Sequence, residues 1–243
     1  MKKVFTILSV VILALSFSQF SQASVDSIYE VAIINISGDV QVDTNGDGIW
    51  IKPWVGMKLM EKALIKTGKN SMIDIVFDAE GLNIARINAN TLTTVKKALL
   101  ELPDGKILAK FANLRPGTSF TIKTPTAACS IRGSGMGVGV ANGVTEIMAF
   151  EDNVYVQGLD VSHGPIGPIA TLPEGSRANV GPSGSLVNVG GLNSGDMAAF
   201  NQFQNDTSGS GTTGTGGAGE PDDTTEEVDT KDLDEIRDIS PSN

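Results

Sequence analysis

Asp43-Thr44-Asn45-Gly46-Asp47-Gly48 sets side-chain oxygens at alternate positions, with a glycine where the chain must turn sharply. That is the first half of an EF-hand-like calcium loop, with Asp43, Asn45 and Asp47 as its candidate ligands. The position that should supply a bidentate glutamate is Trp54, and no flanking helix is apparent. The same residues therefore also read as a hairpin turn between a strand ending at Val42 and one at Ile49 to Ile51, since Asn-Gly and Asp-Gly are strong hairpin signals. Nucleophilic chemistry finds less material. His163 is the single histidine, beside Gly164 and Pro165 in a loop, and no G-x-S-x-G elbow or Gly-rich phosphate loop occurs. Cys129, the single cysteine, follows two alanines near a strand end and reads as a small buried hydrophobe. Asp74 and Asp78 read as the solvated face of a strand. Trp50 and Trp54 read as core or rim residues, with a sugar-stacking platform as the functional alternative. These residues argue against an enzyme, and calcium is the one cofactor they suggest.

The elements that must position them are short and two-fold. Ile73, Ile75 and Phe77 alternate with Asp74, Val76 and Asp78, and Phe120, Ile122 and Thr124 alternate with Thr121 and Lys123. Similar runs recur at 40–42, 107–111, 138–140, 146–150 and 154–156, separated by Gly, Pro, Asn and Asp. The expectation is an all-β body, either a twisted solenoid-like stack of short strands or a two-sheet sandwich. Val95 to Leu102 is the exception, because its Lys, Ala, Leu and Glu content favours helix. A helical turn is expected at Ala198 to Gln204, capped by Asp196. Arg177 to Val180 and Leu186 to Val189 form a candidate strand pair.

The ends differ in chemistry. Lys2 and Lys3 precede an apolar run from Val4 to Phe17 and the small-residue stretch Ser21-Gln22-Ala23, which reads as a signal peptide over residues 1–23. The expectation is an exported, periplasmic or secreted chain beginning at Ser24. No later apolar run approaches the roughly 20 residues of a transmembrane helix. Residues 24–160 read as one β domain, 161–203 as a Gly- and Pro-rich β extension packed on it, and 204–243 as a disordered acidic tail. The net charge of −10 divides into +2 from the leader, −9 after residue 203 and −3 over residues 24 to 203. A nearly neutral body carries no electrostatic footprint for nucleic acid.

Read in order, the spaced elements resemble the FecR domain of bacterial envelope signalling proteins. Gly38-Asp39-Val40-Gln41-Val42 opens the series, followed by Trp50, Pro53 and the stretch from Gly56 to Leu59. Then come Ala63 to Gly68 and the strand from Ser71 to Phe77. The most specific part runs from Phe120 through Thr124-Pro125-Thr126-Ala127 to Ile131-Arg132-Gly133-Ser134, similar to the family's T-P-x-A … R-G-T signature with Ser134 in place of Thr. Gly135-Met136-Gly137 departs from the pattern, where the family usually has a larger residue. The resemblance covers about Val31 to Gln157. It implies a non-enzymatic binding or signalling module of the envelope that engages a protein or a cell-wall polymer. Read physically, Pro125 ends or bends the strand before it. Gly133, Gly135, Gly137 and Gly139 suit a bulged turn, and Arg132 either caps carbonyls of that turn or meets a partner.

Overall fold

The computed structural model describes residues 31–112 and 114–208. The leader and the acidic stretch beyond Ser208 lie outside the described residues. In chain order the first strands are β1 (Val31–Ser37), β2 (Val40–Asp43), β3 (Lys58–Leu59), β4 (Leu64–Thr67) and β5 (Met72–Val76). Next come β6 (Asn83–Ile87), β7 (Leu92–Lys96), β8 (Leu99–Phe111), β9 (Phe120–Lys123), β10 (Ala127–Ile131) and β11 (Ser134–Ala141). The series closes with β12 (Val144–Glu151), β13 (Val154–Leu159), β14 (Pro165–Leu172), β15 (Ser176–Val180) and β16 (Leu186–Gly191), then the helix α1 (Ser194–Ser208).

The body is all-β. Two sheets share one strand. The first runs β3-β1-β5-β6-β8-β11-β12-β15-β16 and the second β2-β4-β7-β8-β9-β10-β13-β14, antiparallel throughout except for the parallel pair β8 and β9. The N-terminal half of β8 pairs with β7 and β9 in the second sheet, and its C-terminal half with β6 and β11 in the first. The crossing lies at Pro103-Asp104-Gly105. Gly105 has φ +104, and a Cβ there would stand 2.5 Å from the Cα of Thr91, so neither the conformation nor the space admits another residue.

The core fills the space between the sheets. Ile33, Ile73, Ile75, Ile107 and Val138 from the first sheet join Val42, Ile65, Ile122, Cys129 and Val156 from the second in one buried cluster. Phe111 of β8 stacks on Phe120 of β9 with ring centroids 3.8 Å apart. Of the two all-β arrangements open from sequence, this is the facing-sheet one. Val95 to Leu102 is a hairpin, not a helix. Its turn places Ala98 at φ 46, and burial of Val95, Leu100 and Leu102 outweighs helix propensity.

Beyond the first sheet lies a second apolar layer. Val76, Ile84, Leu108, Met148 and Phe150 point away from the main core and are covered by Phe200 and Phe203 of α1. The Phe150 and Phe200 rings stack at 4.2 Å. The helix is longer than the expected turn, and its cap is Asn193. The Asp196 amide donates to Asn193 Oδ1 at 2.8 Å, while the Asn193 amide donates to Asp196 Oδ2 at 3.3 Å, a reciprocal capping box. The tail boundary expected at Gln204 falls inside α1, which continues to Ser208. Asp74, expected on a solvated face, is 1% exposed, bonded by Arg86 and Asn35, and α1 packs on Arg86 through Phe203 and Asp206.

Candidate functional site

The signature turn between β9 and β10 is a clip across the sandwich. Thr124 Oγ1 accepts from the Ala127 amide at 2.9 Å and sits 2.6 Å from Thr145 Oγ1 on β12. Thr145 Oγ1 is in turn 2.7 Å from Thr126 Oγ1, which donates to the Val180 carbonyl of β15 at 3.0 Å. Each hydroxyl has one proton, so with Thr126 donating to Val180, Thr145 donates to Thr126 and Thr124 to Thr145. All three threonines are buried, and they bond the second sheet to the first. Pro125 occupies the apex, where its missing N–H leaves no donor stranded. Ala127 is fully buried in the core.

The other half of the signature behaves differently from expectation. Arg132 is exposed, and its guanidinium lies 5.1 Å above the Tyr155 ring. Among the described residues it makes no hydrogen bond to a turn carbonyl. Gly133 takes φ +94 at the β10–β11 turn. Ser134 donates to the Glu151 carbonyl at the start of β11. Gly135 and Gly137 lie within β11, whose register against β12 shifts between Gly135 and Met136, so the irregularity falls inside the strand and not in the turn at Gly133; their missing side chains make room for Phe200 and Met148.

One face of this sandwich is covered by α1. The outer face of the second sheet is open. Register aligns its outward residues in rows, Leu64–Thr94–Glu101–Lys123–Ala128–Gln157 and Lys96–Leu99–Thr121–Ser130–Tyr155–Thr171. Glu101 faces Lys123 across the parallel pair, and also takes Lys96 Nζ at 2.7 Å. Thr121 and Ser130 hydroxyls meet at 2.8 Å. Where β8 turns toward the first sheet, this face opens into a cleft of about 210 Å³. Leu102, Pro103 and Pro125 supply its apolar surface, and Thr94, Glu101, Lys123 and His163 its polar rim. The signature turn thus forms one wall. His163 reaches the cleft from the turn at Asp160–Gly164, where it holds φ 63. Asp160 Oδ1 accepts from the Ser162 hydroxyl at 2.6 Å, the Ser162 amide at 2.8 Å and the Gly164 amide at 2.9 Å. Those bonds, the hydroxyl first, hold its carboxyl below the usual range. Thr94, Glu101 and Tyr155 carry no sequence motif, and Lys123 has no assigned role in the one it adjoins. They become a set only through register, for which outward polar residues at alternate strand positions were the available signal.

The candidate calcium ligands lie in a turn closed by its own backbone. Asp43 Oδ1 accepts from the amides of Gly46 at 2.7 Å, Asp47 at 3.2 Å and Asn45 at 3.3 Å, and Oδ2 from Gly48 at 2.7 Å. Burial pushes the Asp43 carboxyl up, but the four amides outweigh it and hold it below the usual range. Asn45 and Asp47 likewise accept from backbone amides two residues on. Among the described residues, no three His, Cys, Asp or Glu side chains converge in a metal-holding group. Cys129 is wholly buried, which pushes its thiol up to about 12 and leaves it neutral.

No family model matches this chain, and no curated protein matches it. Among solved structures, two crystal structures of a provisionally assigned anti-sigma factor from Parabacteroides distasonis are similar to it. Each has 15% identity and a TM-score of 0.44, with 57% of this chain and 64% of that chain covered. The chain therefore spans less than two thirds of that protein's length.

Proposed function

We propose that this chain is an exported, non-enzymatic FecR-like module of the bacterial envelope that binds an envelope protein or a cell-wall polymer across the open face of its second sheet. The observation that carries the reading is the asymmetry of the sandwich. On the outer face of the first sheet α1 covers the apolar patch, whereas the second presents aligned rows rich in polar and charged side chains that lead into a cleft walled by the signature turn. A preformed groove with a few convergent polar groups is the usual form of a binding site. Edge pairing through β14 has less support, because Pro165 and Pro168 remove ladder donors from that strand.

The test separates this face from the fold. Lys123→Glu and Tyr155→Ala change half-exposed side chains on the open face, so each should keep the wild-type melting temperature within a few degrees. Both should lose pelleting with purified cell-wall sacculi, or lose photocrosslinks to an envelope protein formed from a reactive residue at Thr94. Retention of every wall and protein contact by both variants would refute the face as the binding surface.

A further inference from the structure

A different surface, at the opposite edge of the same sheet from β14, carries an inference that goes beyond this reading. Between Gly48 and Gly56 the chain reads Ile49-Trp50-Ile51-Lys52-Pro53-Trp54-Val55, in which Lys52 is the single polar side chain. Ile49 is 65% exposed, Trp54 60%, Val55 61% and the nearby Met60 66%; Trp50 and Ile51 are also exposed. Contiguous apolar residues of this size in water mark an interaction site.

The exposure is built into the backbone. Val42 and Ile51 exchange hydrogen bonds of 2.9 and 2.8 Å, Gly56 donates to the Ile33 carbonyl at 2.7 Å, and Ile33 donates to Met57 at 2.9 Å. Met60 donates to the Thr44 carbonyl at 3.1 Å, which folds the return segment against the Asp43 turn. Pro53 and Met57 are buried beneath the lobe. Its tip is thus held outward by anchors on β1 and β2, and the apolar residues are not free to fold back.

We infer that this lobe inserts into the interfacial zone of an anionic lipid bilayer and docks the module on a membrane surface. Three features select lipid over other partners. Indole rings among aliphatic side chains match the membrane interface, where an apolar ring body and its N–H are both accommodated. Among the exposed side chains around the lobe, Lys52, Lys58 and Lys62 outnumber Asp47 and Glu61 by one, the Asp43 carboxylate being buried in its own turn, in a chain whose net charge is −10. Such lysines bury their stems and keep their ammonium groups at the level of anionic headgroups. A sugar platform would place hydrogen-bonding side chains beside the rings, and between Gly48 and Gly56 the lobe offers Lys52 alone.

The chain has two tryptophans, Trp50 and Trp54, so its indole emission reports from this lobe alone. The processed protein is titrated with vesicles of phosphatidylcholine, with and without phosphatidylglycerol, and with brominated acyl chains. The expected result is a blue shift and bromine quenching that need phosphatidylglycerol. Lys52→Glu should lower partitioning by about fivefold or more, since each cation near an anionic surface contributes about that factor. Trp54→Ala should lower it by about tenfold, from loss of the largest inserted ring. Emission that no vesicle changes would overturn the inference. So would an equal shift caused by sacculi or by raising protein concentration without lipid, which would assign the lobe to the wall or to a second copy. Because these changes leave the open sheet face untouched, failure here and failure of that binding surface are read separately.

Discussion

Arg86 offers the sharpest test of how α1 is held. It is 4% exposed, directly opposite Asp74 on β5. Its Nε and Nη2 donate to Asp74 at 2.7 and 2.9 Å, its Nη1 donates to Asp206 of α1 at 2.8 Å, and its guanidinium lies 5.2 Å from the Phe203 ring centre. Asn35 completes Asp74 at 3.0 Å. Burial opposes the charge on Arg86, but Asp74 first and Asp206 second keep it ionised. Asp74→Ala strands a buried guanidinium and should cost about 3–5 kcal/mol. Asp206 is 36% exposed, so water replaces it at Nη1 and Asp206→Ala should cost only about 1 kcal/mol. In a domain of this size each kcal/mol moves the melting temperature by about 2–4 °C, so the falls should be about 6–20 °C and 2–4 °C. Thermal scans by circular dichroism measure both. Exchanging Asp74 and Arg86 together for Leu and Met should restore much of the first loss, because the desolvation cost of the ions goes with them. Equal falls for the two single variants, or a neutral Asp74→Ala, would refute the assignment of Asp74 as the buried partner.

Thr145→Val keeps volume but cuts the hydroxyl chain between the sheets; a loss of about 1–2 kcal/mol in urea unfolding is expected, and no loss would remove the clip from the account. Arg132→Ala should leave stability within about 0.5 kcal/mol because the side chain is exposed, whereas Gly133→Val should be clearly destabilising because a β-branched residue is strained at φ +94; thermal melts compare them. Asp43 and Asp160 are held below the usual carboxylate range in the fold. Their stabilisation is complete at neutral pH, begins to fall below about pH 4 where the unfolded carboxyls protonate, and is lost as the pH passes the lower folded values. Urea midpoints should therefore drop on acidification, and more gently in Asp43→Asn. Millimolar calcium should leave the melting temperature unchanged, since the Asp43 carboxylate already accepts four amides; a rise would favour the calcium-loop reading.

How much of this was legible depends on whether a residue's surroundings come from its own strand. Ile73, Ile75, Phe120 and Ile122 announce their inward face by alternation, because one neighbouring sheet buries them. Asp74 follows the same rule and misleads, because its partner Arg86 is in turn held by Asp206, 120 residues further on in the sequence. Val95 to Leu102 misleads for a related reason: good helix formers fill a hairpin whose inward Val95, Leu100 and Leu102 are fixed by contacts with the opposite sheet. The signature residues were legible as a group and not by role. Thr124 and Thr126 need Thr145 to show what they do, and nothing local distinguishes a capping Arg132 from one stacked on Tyr155.

Gly135-Met136-Gly137 and the presence of α1 are two sides of one packing solution. A Cβ on Gly135 would lie 2.3 Å from Cζ of Phe200, and one on Gly137 would lie 2.8 Å from the Met148 methyl. With a larger residue at position 135, Phe200 could not stack on Phe150 as it does, and the helix would lose an apolar contact with the first sheet. The glycines therefore create the groove, Phe200 and Phe203 fill it, and Asp206 fastens the end of the helix to Arg86. That leaves the two faces of the sandwich chemically unlike. One carries an apolar patch covered by the chain's own helix, the other registered rows of mostly polar side chains. On the second sheet the outward side chains stand in register beside the signature turn, with no helix of the chain laid over them.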